Sequence, residues 1–294
     1  MAQPEILDGT QLPDVDVWSE RVTVALGKNP SAFTGPGTNT YLVGTGPERI
    51  LLDTGQGVRD YLPVLEQAME RAGCTDIQEI VVTHGHPDHL GGALSLRDHF
   101  GSRRISKLPW PGVDEGFGVE LVAIAHGDVV RTEGASLRAV HTPGHAPDHL
   151  CFVLEEENAL FSGDNVLGVG TTVIPTGSGS LTDYMDSLQR LRAEDPGRIY
   201  PAHGPAIGNG TAKIEAYIAH RHQRERQILQ VLDGGPAHVM DIVRSVYAAY
   251  PEHLHRPAAE SVTQHLLKLA REGRAESEPE SGSDDPRAAL WRRS

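Results

Sequence analysis

Within THGHPDHLGG, the residues His84, His86, Asp88 and His89 fall inside six positions, directly after the apolar run EIVV. Alternate residues of an extended segment point the same way, so His84 and His86 can share one metal ion. Pro87 turns the chain, and Asp88 and His89 then face a second position. Three further groups stand among small turn formers: His145 in HTPGH, Asp164 in SGDN and His203 in PAHG. Imidazole and carboxylate are the ligands expected for zinc and similar divalent ions. Scattered surface histidines have no reason to arrive as H-x-H-x-D-H behind one strand and to recur at the ends of others. The pattern predicts a metal centre.

Other polar residues qualify as its surroundings. Asp53, in LLDTG, ends an apolar run beside the expected site and reads as the partner that orients a ligand histidine, rather than as a turn cap. Asn39 and Tyr41, in TNTY, either line the cleft or simply begin a strand. His149, in PDHL, is either a donor at the edge of the site or a satisfied structural histidine. His220, Arg221, His222, Arg224 and Arg226 form one basic run beyond His203. It is either a solvated helix face or a place where His220, Arg221 and Arg224 meet an anionic substrate. Cys151 sits in an apolar strand and reads as a small core residue.

The elements that must carry these groups follow from periodicity. Strands are expected at 38–45, 48–55, 78–84, 136–142, 151–156, 159–164 and 198–203. A helix over 58–73 places Val58, Tyr61, Leu62, Leu65, Met69 and Ala72 on one face and ends at Gly73. Pro63 falls in its first turn if Asp60 is the N-cap. A helix capped by Thr182 separates the last two strands. ILLDTG leads through one helix to IVVTHGH, and ALFSGD leads through one helix to RIYPAH, which hints at two related halves. This is an α/β, or α+β, layered core. After Thr211 the chain turns helical, with segments at 211–232, from Val239 to Tyr250, and at 258–272. A strand, a polar tip and a returning strand closed by Trp291 follow. The organisation expected is an N-terminal extension (1–17), a catalytic domain (18–210) and a helical, winged-helix-like domain (211–294). The last of these helices offers Lys268 and Arg271 against Glu260 and Glu272, too little charge to read double-stranded DNA.

Composition narrows the function. The 294 residues carry 26 lysines and arginines against 40 acids, a formal charge of −14, which argues against nucleic-acid binding by diffuse electrostatics. Two cysteines make no disulfide framework. The opening MAQPEILDGTQLPDVDVW has four acids, no base and no apolar stretch, so it reads as neither a secretory signal nor a transit peptide. No run approaches the length of a membrane span. The expected location is cytoplasmic, with no membrane partner.

The metal-ligand pattern resembles that of the metallo-β-lactamase-fold hydrolases. The resemblance implies an αββα sandwich with two zinc ions at one edge, and manganese or iron as substitutes. It assigns His84, His86 and His145 to one metal, Asp88, His89 and His203 to the other, and Asp164 to the bridge between them. A metal-bridging hydroxide would be the nucleophile, with Asp88 and Asp164 the catalytic carboxylates. The segments NPSAFTGPGTNTYLVGTGPERILLDTG, EGASLRAVHTPGHAPDHLCFVLEEENALFSGDNVLG and AKIEAYIAHRHQRERQIL are similar to the beta-lactamase-like protein 2 branch. That branch is related to animal single-strand endoribonucleases and fungal polyketide thioesterases. The similarity spans roughly Trp18 to Arg274. It implies cleavage of a phosphodiester in single-stranded RNA, with hydrolysis of a thioester or ester as the alternative and an inert metal-binding scaffold as the third. Substrates would accordingly be small, carrier-bound or single-stranded RNA. Gly85, where that branch carries a bulky aromatic, and the apparent insertion PTGSGS (175–180) depart from the pattern at the mouth of the site.

Overall fold

A computed structural model describes residues 9–280 and 283–294; the start of the N-terminal extension and part of the polar tip lie outside them. Two sheets lie face to face. The first runs in sequence order: β1 (Val15–Val17), β2 (Val22–Leu26), β3 (Asn39–Val43), β4 (Glu48–Leu52), β5 (Asp76–Val81), β6 (Arg104–Lys107) and β7 (Val122–Ala123). Its first four strands are antiparallel and β4 to β7 are parallel. The second sheet, in the order β12-β11-β10-β9-β8, is built from β8 (Val129–Thr132), β9 (Ala135–His141), β10 (Leu150–Leu154), β11 (Ala159–Gly163) and β12 (Arg198–Pro201). Here only the β11–β12 pair is parallel.

Period-two alternation divides the strands between layers. Val22, Val24, Tyr41, Val43, Ile50 and Leu52 face Leu137, Leu150, Phe152 and Phe161 across the gap between the sheets. The opposite face of the first sheet, with Ala25, Leu42 and Leu51, is covered by α1 (Tyr61–Ala72), and α2 (Pro87–Leu90) and α3 (Ala93–Phe100) add Leu90, Ala93 and Leu96 to this layer. The outer face of the second sheet, with Val140, Cys151 and Leu160, is covered by α4 (Leu181–Ala193) and α5 (Gly210–Asp233). Each fully buried aliphatic or aromatic side chain contributes about 1.5–3 kcal/mol, so these three apolar layers supply the main driving force. Both cysteines are free and buried.

The two sequence echoes become the same construction. In each, a strand, a helix and a parallel neighbouring strand (β4–α1–β5, β11–α4–β12) deliver an aspartate and then a histidine to the carboxyl ends. The expected helix over 58–73 begins only at Tyr61, with Asp60 at the N-cap and Gly73 left-handed at φ 66°. The cap of α4 is Ser180 rather than Thr182: its extended backbone lets the hydroxyl accept the Asp183 N–H, which places Thr182 inside the first turn. In these two sheets β1, β2, β6, β7 and β8 were unforeseen from periodicity; β2 is buried at all five positions.

The C-terminal unit is α6 (Val239–Val246), α7 (His255–Arg271) and a small antiparallel sheet of β13 (Ala237–His238), β14 (Ala275–Glu278) and β15 (Leu290–Arg293), in the order β13-β15-β14. Trp291 is buried in its core beside Val262 and Leu266. α7 starts three residues earlier than expected because Pro257 is accommodated in its first turn. The long α5 belongs to both units: Ile214 and Tyr217 pack on the second sheet, and Ile228 and Leu232 enter the C-terminal core. The 175–180 segment is the second tie. Gln264 of α7 donates to the carbonyls of Pro175 and Gly179, and Glu260 accepts the Thr176 N–H. Among the described residues, no helix is long and apolar enough to cross a membrane.

Gly144 is a position where the packing admits no side chain. Its φ is +130°, and a Cβ there would lie 2.4 Å from the backbone of Tyr184 in α4. Gly144→Ala should therefore cost about 3 kcal/mol or more, by combining backbone strain with overpacking. Urea unfolding of the two proteins checks this, and an unchanged midpoint would contradict it.

Candidate metal centre

The ligand candidates converge because parallel strands end on the same side. Asp53 follows β4, His84 follows β5, Asp164 follows β11 and His203 follows β12. His86 occupies the N-cap of α2 in an extended conformation, and Pro87, Asp88 and His89 form its single turn. His145 comes from the loop between β9 and β10.

All seven side chains gather into two groups whose ligand atoms lie within 4.8 Å of one another: His84, His86, His145 and Asp164; and Asp88, His89 and His203. In the first, His86 Nδ1 is 2.9 Å from both His84 Nε2 and His145 Nε2. One ring nitrogen can donate to only one of these neighbours, so three nitrogens turned on a common point suit a cation better than hydrogen bonds. Asp164 divides its carboxylate between the groups: Oδ2 lies 3.4 Å from His145 Nε2, and Oδ1 lies 3.1 Å from His203 Nε2 and 3.3 Å from His89 Nε2. Asp164 Oδ1 and His89 Nε2 are buried and have no aligned hydrogen-bond partner. Orphaned buried polar atoms of this kind are costly unless something else meets them. The donor set therefore fits divalent metal.

Electrostatics agree. Burial, then the neighbouring His145, pushes His86 down to about 4, which keeps it neutral and able to ligate. Burial opposes ionisation of Asp88 and Asp164, but His89 and His203 overcome it and hold both carboxyls well below the usual range. Against burial, the same carboxylates raise His203 to about 9. The buried acids demand positive charge.

Two of the histidines are held from behind. Asp53 Oδ2 takes His89 Nδ1 at 2.8 Å, and the same carboxylate accepts the Thr83 N–H and hydroxyl. Asp53 does so from a left-handed backbone, φ 62°, a strained conformation for a residue with a side chain. His145 Nδ1 meets the Val173 carbonyl at 2.8 Å.

The remaining sequence candidates separate. His149 is fully buried, kept neutral by burial, and its Nε2 accepts the Asp164 N–H at 3.0 Å; it positions Asp164 and does not line the cleft. Asn39 and Tyr41 are also buried away from the cleft. The Asn39 amide donates to the carbonyls of Pro201 and Gly204, and the Tyr41 hydroxyl to that of Pro201, which anchors the strand leading to His203. Arg221 is not a substrate contact either: 2% exposed, it donates to the Thr172 carbonyl and packs over Tyr184. Arg224 and His220 do reach the cleft, a pocket of about 750 Å³ above the two groups. Arg224 is nevertheless occupied, donating to Val246 O, Gln227 and the Tyr250 hydroxyl and lying over Tyr247. The pocket walls are Phe33, Leu167, Val169 and Tyr217 from the sandwich and Tyr247, Tyr250 and Leu254 from the C-terminal unit. Periodicity had no signal for Lys107 and Asp148, a buried ion pair behind the ligand loops; the aspartate beside His149 was the only hint.

Comparison with known proteins agrees with this fold. The metallo-beta-lactamase superfamily model matches residues 33–203, and the beta-lactamase associated winged helix domain matches 239–283. The chain belongs to the metallo-β-lactamase superfamily and is a metal-dependent hydrolase of that fold. A beta-lactamase-like protein 2 homolog of Caenorhabditis elegans is 40% identical over 271 residues, covering 91% of this chain and 90% of its own. An atrochrysone carboxyl ACP thioesterase of Emericella nidulans is 42% identical over 223 residues, covering 76% and 68%. Among solved structures, a beta-lactamase domain protein from Burkholderia ambifaria superposes with a TM-score of 0.80 at 20% identity, covering 97% of this chain and 96% of that one, a likeness of fold.

Asp53→Ala should weaken metal binding about 10- to 100-fold, because His89 loses the partner that orients it. Titration against a competing chelator measures the change, and wild-type affinity in the variant would deny Asp53 that role.

Proposed function

We propose that the protein is a dinuclear zinc hydrolase acting on an ester or thioester of an apolar or aromatic acyl group. The observation that carries the dinuclear reading is the carboxylate of Asp164, with one oxygen toward each ligand group. His84, His86 and His145 would hold one ion, and Asp88, His89 and His203 the other. When bound, such a pair supplies a water acidic enough to attack near neutral pH and polarises the oxygen of the scissile group. Asp88, half-buried at the pocket floor and steadied by the Thr38 hydroxyl at 3.2 Å, is placed to take the proton of the attacking water and pass it to the leaving atom.

The pocket supports the acyl substrate. Its walls are largely apolar and aromatic, which suits a carbon skeleton desolvated on binding. The helix that would otherwise greet a phosphate backbone has turned Arg221 inward and committed the guanidinium of Arg224 to its own neighbours. The similar thioesterase of Emericella nidulans fits the same reading. Single-stranded RNA is the second reading, favoured by Tyr247 and Tyr250, whose rings lie 5.2 Å apart on the pocket wall and offer a surface for stacking a base.

Parallel turnover of an aromatic acyl thioester, a single-stranded oligoribonucleotide and a β-lactam tests the proposal. The thioester should be hydrolysed fastest, and activity should disappear with a chelator and return with zinc. Faster, chelator-sensitive cleavage of the RNA would reverse the order of the readings.

Asp164→Asn removes one negative charge between the two ligand groups, where two cations would repel one another. It should lose one metal and turnover more completely than His89→Ala, which serves a single ion. Elemental analysis with rate measurement decides, and an active two-metal Asp164→Asn protein would end the bridging assignment.

A further inference from the structure

His84 and His86 come from the first sheet and His145 from the second, so one ligand group is assembled across the sandwich. A buried charge cluster joins the loops that carry them. The N–H of Gly85, between His84 and His86, donates to Asp148 Oδ2 at 2.8 Å. Asp148 belongs to the same loop as His145. Its Oδ2 also lies 2.6 Å from Lys107 Nζ at the end of β6, with both side chains fully buried. Lys107 pairs in turn with Asp114 Oδ1 at 2.7 Å and donates to the Leu108 carbonyl. Asp114 Oδ2 accepts the Trp110 N–H at 2.6 Å, and the Trp110 ring stands 6.0 Å from that of His86.

Gly85 is the point where this cluster meets the metal loop. A Cβ there would lie 3.2 Å from the Trp110 ring, 3.3 Å from Lys107 Cε and 3.4 Å from Asp114 Oδ1. The missing side chain thus makes room for tryptophan and lysine to pack directly behind the ligand loop. One ammonium against two carboxylates leaves the cluster with an excess negative charge beside the metal ligands. Asp148 Oδ1 is buried without a hydrogen-bond partner among the described residues, and burial raises the carboxyl against the pull of Lys107. A buried ion pair is a weak source of stability, since desolvation offsets its attraction. Its value here is placement.

We propose that Asp148 and Lys107 are positioning residues for the first ligand group: by fixing the Gly85 peptide against the His145 loop, they hold His84, His86 and His145 at ligating separation and set the affinity for metal. This rests on the metal-centre reading above.

The test compares the wild-type protein with Asp148→Ala, which removes the acceptor of the Gly85 N–H and leaves Lys107 paired with Asp114, and with Asp148→Asn, which keeps an acceptor oxygen of the same reach. Zinc affinity is read by chelator competition and stability by thermal melting of the metal-free proteins. Asp148→Ala should bind zinc about 10- to 100-fold more weakly than wild type. Asp148→Asn should recover most of that affinity, whatever its melting temperature. Zinc affinity that does not fall in Asp148→Ala, or that follows melting temperature in both variants, would reduce the pair to ordinary packing and overturn the proposal. If Asp148→Ala does not fold, Asp148→Ser, too short to reach the Gly85 N–H, takes its place on the same criterion. Failure of the wild type itself to bind zinc would instead strike the metal-centre reading, so the two failures are distinct.

Discussion

Asp164 presents one carboxylate to two sets of imidazole nitrogens in a largely buried site, and the surrounding structure is organised around making that arrangement tolerable. Two acids and five histidines facing inward would repel or strand one another without positive charge among them. The sandwich supplies the geometry: two parallel strand pairs, one per sheet, end at the same edge, and each contributes an aspartate and a histidine there. Small residues make the approach feasible. Gly163 precedes Asp164 with φ +49°, and a Cβ on it would lie 2.6 Å from His149 Nε2. His149 meanwhile accepts the Asp164 N–H, so Asp164 is fixed through its backbone as well as its carboxylate.

The C-terminal unit takes part in the site as well as in the fold. Arg221 donates to the Thr172 carbonyl, and the adjacent Val173 carbonyl meets His145 Nδ1. A helix rooted in the C-terminal core thus backs the stretch of chain that orients His145. Gln264 and Glu260 of α7 grip the 175–180 segment, and Tyr247, Tyr250 and Leu254 complete the pocket wall. The 175–180 segment is therefore a fastening between the two units, with Pro175 at its edge in the pocket. The shape of the substrate space depends on both.

The seven ligand candidates, the layered α/β class and the change of character after Thr211 were legible in the chain itself. Short-range patterns carry such information: H-x-H-x-D-H is local, strand alternation has period two, and helix stripes recur every three or four residues. Even Asp53 could be picked out, because an aspartate ending an apolar strand beside a histidine cluster has few other uses. The edge strands β1, β7 and β8 escaped because two to four residues are too few for a period-two pattern to register. The start of α7 escaped because Pro257, read alone, looks like a boundary and not a first-turn residue.

Side-chain direction was the limit. Asn39, Tyr41, His149 and Arg221 have the chemistry of a cleft, yet each is spent on a carbonyl or amide brought to it by a distant segment. Nothing in their neighbours along the chain specifies that. The same holds for Asp148 and the Lys107–Asp114 pair, which belong to different sheets and become a cluster only when the sheets close. Sequence determined which groups exist and which strands end with them, because those are properties of adjacent residues. Tertiary structure decided which groups face the pocket and which serve the backbone, because a buried donor must take whatever acceptor the packing provides.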